Sequence, residues 1–504
     1  MPLRGSAPKN PLGSAAERRE ALDKGGGPAQ PACMSEPPAA LPRHAELKAA
    51  LAAQPLFEDK TWRLSPEPWW LTPEQAEELH LIGQACHAFY QAVEVLYRRS
   101  CEGKNLLRNR TLTAPWVHDY LDRGKPLRVL EHGRIRRLRG ATPAVIRPDL
   151  LLTEDGFALT ELDSIPGGLG LTAFLYRLYA ASTAHPLGGE DAMLDHFYAA
   201  VAALAPQVEH PLICVVLSDE AAVYRPEYDY LARRLRERGH RVHVRHPDQL
   251  MPLGGGLSIP IEGSPEQVDV IYRFWELFDT GNIRTAQAIF EAVENGELAC
   301  TPPMKAYQEE KLNLALLHHH VLEDFWRETL IRQDYRVLQR LVPKSWVVDP
   351  VELPPNAVLD APTVGGKPIR RWEELGAASQ RERNLILKVS GFHETAWGAR
   401  SVVYGSDHSK EEWLDALENA TDMAPETLHV LQAYRKPMRL RHPVYGDDEN
   451  VTEMDGRLRL CPFYFAEGDT VHLGGALATF CPADKKIIHG MRDAAMLPCA
   501  VREG

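Results

Sequence analysis

The sequence predicts a mixed fold, part α+β and part α/β, with a small parallel α/β unit inserted between helical and antiparallel segments. Three observations carry that expectation. An apolar strand over 212–217 (LICVVL), a helix over 227–239 closed by Gly239 and a strand over 241–245 follow with short loops, the rhythm of a parallel sheet. Apolar runs over 149–153 and 157–162 flank Asp155-Gly156 and read as a hairpin. Beyond residue 380 short strand-like runs dominate, as in an antiparallel sheet.

A length of 504 residues suggests roughly three domains. Residues 1–45, rich in Pro, Gly and Ala, read as a disordered tail, with Met34 a second candidate start. A helical region and the hairpin occupy 46–210, the α/β substrate or lid unit 211–300, and the C-terminal subdomains 301–504. The net charge of -12 argues against a general nucleic-acid or anionic-membrane binder. No apolar run reaches the ~18 residues of a membrane span, and no secretory signal core opens the chain. Eight scattered cysteines without a CxxC pair suit reduced thiols, so the expected location is cytoplasmic.

In order along the chain, a short helix is expected over 45–56. Thr72-Pro73-Glu74-Gln75 is a capping box that opens an amphipathic helix to about Arg98. Trp69 and Trp70 before it read as core anchors. After the hairpin come helices over 171–181 and 190–205. The α/β unit follows, with a third strand over 268–272. Residues 281–341 read as mostly helical with a break at Thr301-Pro302-Pro303. The helix expected over 309–330 carries His318, His319 and His320, which its 100° steps spread around a solvated edge. A Pro-rich loop over 350–367 leads to strands over 384–389 (NLILKV) and 402–404, a helix over 410–419 and a strand over 429–434. Strands over 457–465 and 470–480 close the chain.

The chemistry gathers at the hairpin. Glu161 and Asp163 lie two apart on one strand, so both face one side and repel unless a cation relieves them. They suit either a hard-metal site or a solvated strand face. The loop from Ser164 to Gly170 is glycine-rich and open to a ligand. Lys388 ends an otherwise apolar strand and either meets an anion or snorkels to water. Lys311, Arg273 and Arg147 are further cations at element ends, and Glu394 is an isolated acid after Lys388. Together they describe a site for a polyphosphate with magnesium. GxGxxG does not follow the 212–217 strand, and neither a Walker A lysine loop, a kinase HRD/DFG pair nor a GxSxG elbow occurs.

The order of these motifs resembles the circularly permuted ATP-grasp superfamily, which contains eukaryotic-type glutathione synthetase and glutathionylspermidine synthetase. Arg147-Pro-Asp149 through Glu161-Leu-Asp163-Ser164 is similar to that family's R-x-D and E-x-N-[ST] strand pair. The resemblance implies substrate contact for Arg147, Arg273 and Ser164, and magnesium binding for Glu161, Asp163 and Glu394. It implies ATP phosphate contact for Lys311, with Lys305 the lesser occupant, and for Lys388. Leu431-Gln432-Ala433-Tyr434 stands where the family's hinge strand meets adenine, which places Gln432 and Tyr434 there. Asp163 replaces the family's Asn. The Lys388–Glu394 spacing is two residues longer than usual, and Thr-Ala-Trp-Gly replaces its triple glycine.

What the resemblance implies is an ATP-grasp fold and an ADP-forming carboxylate–amine ligase. It would work through an acyl phosphate on an amino acid, peptide or polyamine-like substrate, with ATP and Mg2+. A nucleotide-binding scaffold and a phosphotransferase on the same fold are the alternatives. Expected partners are small molecules, with neither nucleic acid nor membrane.

Overall fold

Thr72 starts the longest helix as its sequence predicts. Gln75 N donates to Thr72 Oγ1 at 3.2 Å and Thr72 N to Gln75 Oε1 at 3.0 Å, closing the capping box. The computed structural model describes residues 43–57, 61–180, 185–351, 361–396, 400–488 and 493–502. The tail expected over 1–45 therefore lies almost wholly outside the described residues, as do Trp397-Gly398-Ala399. A short helix, α1 (His44–Ala52), precedes strand β1 (Trp69–Leu71) and the long helix α2 (Pro73–Cys101). Leu79, Ile82, Cys86, Phe89 and Val93 form the buried face of α2. The sheet comes close at Gly83, where an added Cβ would sit 2.4 Å from the Tyr464 ring.

That sheet has seven strands and joins distant parts of the chain. Strand β2 (Val145–Thr153) pairs with β3 (Gly156–Asp163) and, on its other edge, with Val451–Glu467. Thr470–Pro482, Ala495–Val501 and β1 follow in turn, and Leu440–Tyr445 pairs with the start of Val451–Glu467. The hairpin thus shares a sheet with C-terminal strands. One face packs Ile146, Leu150, Leu152, Phe157, Leu159, Leu460 and Ala478 into one core with α2. Alternation sends Arg147, Asp149, Arg459 and Cys461 to the opposite face, where they line a cavity.

The parallel unit is present with one strand more than expected. Its order is Ala299–Thr301, Val270–Phe274, Ile213–Leu217 and Val242–Arg245, all parallel. Both faces are apolar because helices cover them, which is why ICVVL is continuously hydrophobic. A three-stranded meander over 251–267, which sequence reasoning did not anticipate, is appended to it. A four-stranded antiparallel sheet forms from Ser345–Val348, His429–Ala433, Leu385–Val389 and Val403–Tyr404. Trp413 and Leu417 of the helix Lys410–Asp422 share a core with Leu385, Leu387 and Leu431.

The helix expected over 309–330 is corrected. Leu312–Leu317 and Glu323–Thr329 are separate helices, and the histidines sit at the break between them. His319 has extended backbone and its ring packs 4.6 Å from Trp116, while His320 is exposed. The seven cysteines of the described residues are free thiols. Among the described residues no helix is long and apolar enough to cross a membrane.

Candidate functional site

The hairpin does not alternate as its sequence suggests. Leu159 pairs with Leu150 and faces α2, yet Glu161 pairs with Asp149 and faces the cavity. Both are odd-numbered residues of one strand. Thr160 lies between them as an extra residue, a β-bulge that reverses which side the rest of β3 presents. Its hydroxyl donates to Asp149 O at 3.0 Å, fixing the bulge. The pair Glu161 and Asp163 therefore does share a face, and the bulge determines which one.

Two lysines from different segments converge on this strand. Lys311 Nζ lies 2.7 Å from Glu161 Oε1 and donates to Ala396 O at 2.7 Å. Lys388 Nζ donates to Thr160 O at 2.8 Å. Burial pushes the Lys388 amine down to about 8, only partly opposed by Glu161, and Lys311 adds to the depression. Burial likewise opposes the charge on Lys311, but the Glu161 carboxylate it touches, together with Glu276 and Asp163, outweighs it and raises its pKa. Lys305, by contrast, is fully buried against Glu94 at 2.8 Å and Ala141 O at 2.9 Å. Of the two candidates, Lys311 is the one that faces the cavity.

Arg147 is held at three points: Asp149 Oδ1 at 2.9 Å, Gly167 O at 2.8 Å and Asp163 Oδ2 at 3.0 Å. Asp149 also bonds Arg459 Nη1 at 3.1 Å through its other oxygen. Burial disfavours the Asp149 carboxylate, but the two guanidinium groups hold its carboxyl below the usual range. Arg273 is not brought to the cavity. It is fully buried, tied to Glu309, to Trp275 O and, at 3.3 Å, to Pro302 O. Its strand lies within the parallel sheet, where a cation needs internal partners.

The loop after β3 keeps Ser164 buried at the cavity wall. Its glycines serve close packing: a Cβ at Gly167 would lie 2.2 Å from the Tyr224 ring, and one at Gly170 2.2 Å from Glu227 O. Gln432 and Tyr434 also line the cavity. The strand between them is paired on both edges. Gln432 lies opposite Ser345 and Ile386, and Tyr434 N donates to Asn384 O at 3.1 Å. Gln432 Nε2 reaches Ser345 Oγ at 3.1 Å.

The cavity these elements enclose measures about 720 Å³, within the range of small-molecule sites. Glu276 and Glu309, which sequence reasoning did not single out, line it too. Burial and the neighbouring Glu309 charge push the Glu276 carboxyl up. Arg459 was missed as well, although a charge inside LRLCPF is the same signal that drew attention to Lys388.

Magnesium takes oxygen ligands, often one or two carboxylates completed by substrate phosphates. Glu161 and Asp163 fit that pattern. Burial and the adjacent Glu161 raise the Asp163 carboxyl against the opposing pull of Arg147, so a further cation would relieve the strand. Glu394 does not join them: it is exposed and is not among the residues lining the cavity. The turn after Lys388 carries it outward, with Phe392 in a left-handed conformation. Among the described residues no three His, Cys, Asp or Glu side chains are grouped to hold a metal by themselves.

No protein-family model and no curated protein matches the sequence. Among solved structures, the fold is similar to a glutathione synthetase-like effector from Globodera pallida in its apo form. The identity is 12% and the TM-score 0.52, over 91% of this chain and 96% of that one. A protein named "Putative gamma-glutamylcysteine synthetase", from Methylobacillus flagellatus KT, matches at 14% identity and a TM-score of 0.41, over 74% and 84%. The second likeness is too loose to bear on the fold. The first supports a glutathione synthetase-like fold and, at its identity, speaks for the fold alone.

Proposed function

We propose that this chain is an ATP-dependent, ADP-forming carboxylate–amine ligase of the ATP-grasp kind. The observation that carries the reading is the convergence of Lys311 and Lys388 on Glu161 and Thr160 inside one cavity. Two ammonium groups beside a pair of acids suit a polyphosphate and its metal, and the glutathione synthetase-like fold agrees with it.

In this reading Lys311 and Lys388 neutralise phosphate oxygens during transfer of the terminal phosphoryl group to a substrate carboxylate. Glu161 and Asp163 would hold magnesium, whose charge spreads the developing negative charge when it is bound. Arg147, fixed between Asp149 and Asp163, holds the acid strand in register beside the carboxylate. An amine then attacks the acyl carbon; the carbon–nitrogen bond forms, the carbon–oxygen bond to phosphate breaks, and the nitrogen loses a proton. Tyr434 and Gln432 border the remaining volume, where the nucleotide base would lie.

Incubation with ATP, magnesium and pools of amino acids, small peptides and polyamines tests the proposal. ADP, phosphate and a new amide mass support it, whereas a stable phosphorylated product would favour a phosphotransferase. A second reading, a nucleotide-binding protein without turnover, draws on the outward position of Glu394. Analogue binding with no ADP release in any pool would favour it.

A further inference from the structure

Lys311 and Lys388 come from separate segments, and Ser390 joins them. Its carbonyl oxygen accepts from Lys311 N at 3.0 Å, and its hydroxyl oxygen accepts from Leu312 N at 2.9 Å. Those two N–H groups open the helix Leu312–Leu317 and have no acceptor within it. The Ser390 hydroxyl gives its own proton to Glu310 Oε2, and Ser390 N donates to Leu428 O at 3.0 Å. Every polar group of this buried serine is therefore engaged.

Glu310 precedes Lys311 and takes its countercharge from far away in the chain. Its other oxygen, Oε1, lies 2.6 Å from Lys125 Nζ, and the side chains of Lys125 and Glu310 are only 3% and 4% exposed. Lys125 stands in the turn between the helices Pro115–Asp122 and Leu127–Gly133. That turn is anchored on the stretch that also anchors Ser390. Arg123 Nη1 donates to Ala424 O at 2.9 Å, and a Cβ added at Gly124 would lie 1.9 Å from Glu426 O. Leu428 O, the acceptor of Ser390 N, ends the same stretch. Contacts thus close a ring through residues 123–125, 424–428, Ser390 and Glu310. Neither Lys125, Glu310 nor Ser390 lines the large cavity.

An ion pair this buried contributes little net stability, because desolvation offsets the attraction. What it fixes is direction. A serine hydroxyl has one proton and a carboxylate can only accept it, so the oxygen lone pairs are left to Leu312 N. Lys125 supplies the charge that Glu310 needs, and Glu310 aims Ser390 at the helix that begins beside Lys311. We propose that Lys125, Glu310 and Ser390 are one positioning unit, which sets the spacing of Lys311 and Lys388 while touching neither nucleotide nor substrate. The proposal rests on the ligase reading for what the two lysines bind.

The test titrates the full chain, with magnesium, against a non-hydrolysable ATP analogue and, separately, AMP. Both carry the base, but only the analogue carries the terminal phosphates. The wild type should prefer the analogue. Ser390→Ala and Lys125→Met should each lose about 10-fold of that preference through weaker analogue binding, with AMP affinity unchanged. Lys125→Arg, which keeps the charge, should retain most of it. A purely structural role would lower the melting temperature and leave the ratio of the two affinities where it is. An unchanged ratio in either folded variant, including an equal loss of both ligands, therefore overturns the proposal. If Lys125→Met is unfolded at the titration temperature, Ser390→Ala decides alone, since it leaves the buried ion pair in place. A wild type that binds analogue and AMP alike removes the phosphate site from the ligase reading and this proposal with it. A wild-type preference that the variants keep overturns this proposal only.

Discussion

The ammonium of Lys388 donates to the carbonyl oxygen of Thr160 at 2.8 Å, and Thr160 is the residue that the bulge leaves without a partner across the hairpin. A defect in the ladder thus provides a resting place for a buried cation. A phosphate that enters the cavity offers that cation a charged acceptor instead of a neutral one, which is the stronger bond. Lys388→Gln and Lys311→Gln should each weaken binding of an ATP analogue about 10- to 100-fold. Calorimetric titration checks this. Equal affinity in both variants would remove the lysines from the phosphate site.

Burial holds the Lys388 amine at about 8, so on the ligase reading nucleotide binding should depend on pH. A bound polyphosphate would raise that pKa, so the affinity gained from the charge is complete below 8 and declines as pH rises above it. Analogue affinity measured from pH 6.5 to 9.5 should fall on the alkaline side. Lys388→Arg, which stays charged, should flatten the profile.

Glu161 touches Lys311 and shares its face with Asp163. Glu161→Gln keeps the size of the side chain and removes the charge. Magnesium-dependent ADP release should drop on the order of 100-fold or more while the melting temperature changes little. Undiminished release would show that Glu161 is not the magnesium arm.

Gly391 follows Ser390, which bonds Glu310, and an added Cβ there would lie 2.8 Å from Glu309 O and 2.9 Å from Glu310 Cδ. One neighbour is backbone and the other a carboxyl tied to Ser390 and Lys125, which leaves nothing cheap to move. Gly391→Ala should cost about 1–3 kcal/mol of stability, as overpacking does, and should shift the segment that carries Lys388. Thermal melting and analogue titration read the two effects separately.

His442 and His429 are buried, and burial pushes both rings down to about 4 from an ordinary 6.5. His442 Nε2 bonds Ser65 Oγ at 2.9 Å beside Trp69. The unfolded chain takes up protons that these rings refuse, so their stability is full above pH 6.5 and lost as pH falls toward 4. The loss is on the order of 2 kcal/mol for each ring. Urea midpoints between pH 7 and 4.5 should fall, and His442→Gln should fall less steeply.

Local signals in the sequence determined a good deal. The capping box at Thr72, the parallel rhythm of 212–245 and the hairpin around Asp155-Gly156 are short-range patterns, and each is present. Lys388 stood out because an amine in LILKV has no local partner, and it lies at the cavity. Tertiary structure decided the rest. Period-two alternation places Glu161 with Leu159, and only the strand opposite, by forcing Thr160 out of register, turns the acids toward the lysines. Arg273 and Arg459 are both strand arginines in the sequence. Glu309 closes over one, while Asp149 holds the other at the cavity wall. Which charge is compensated depends on residues far away in the chain, and no spacing along the sequence encodes that.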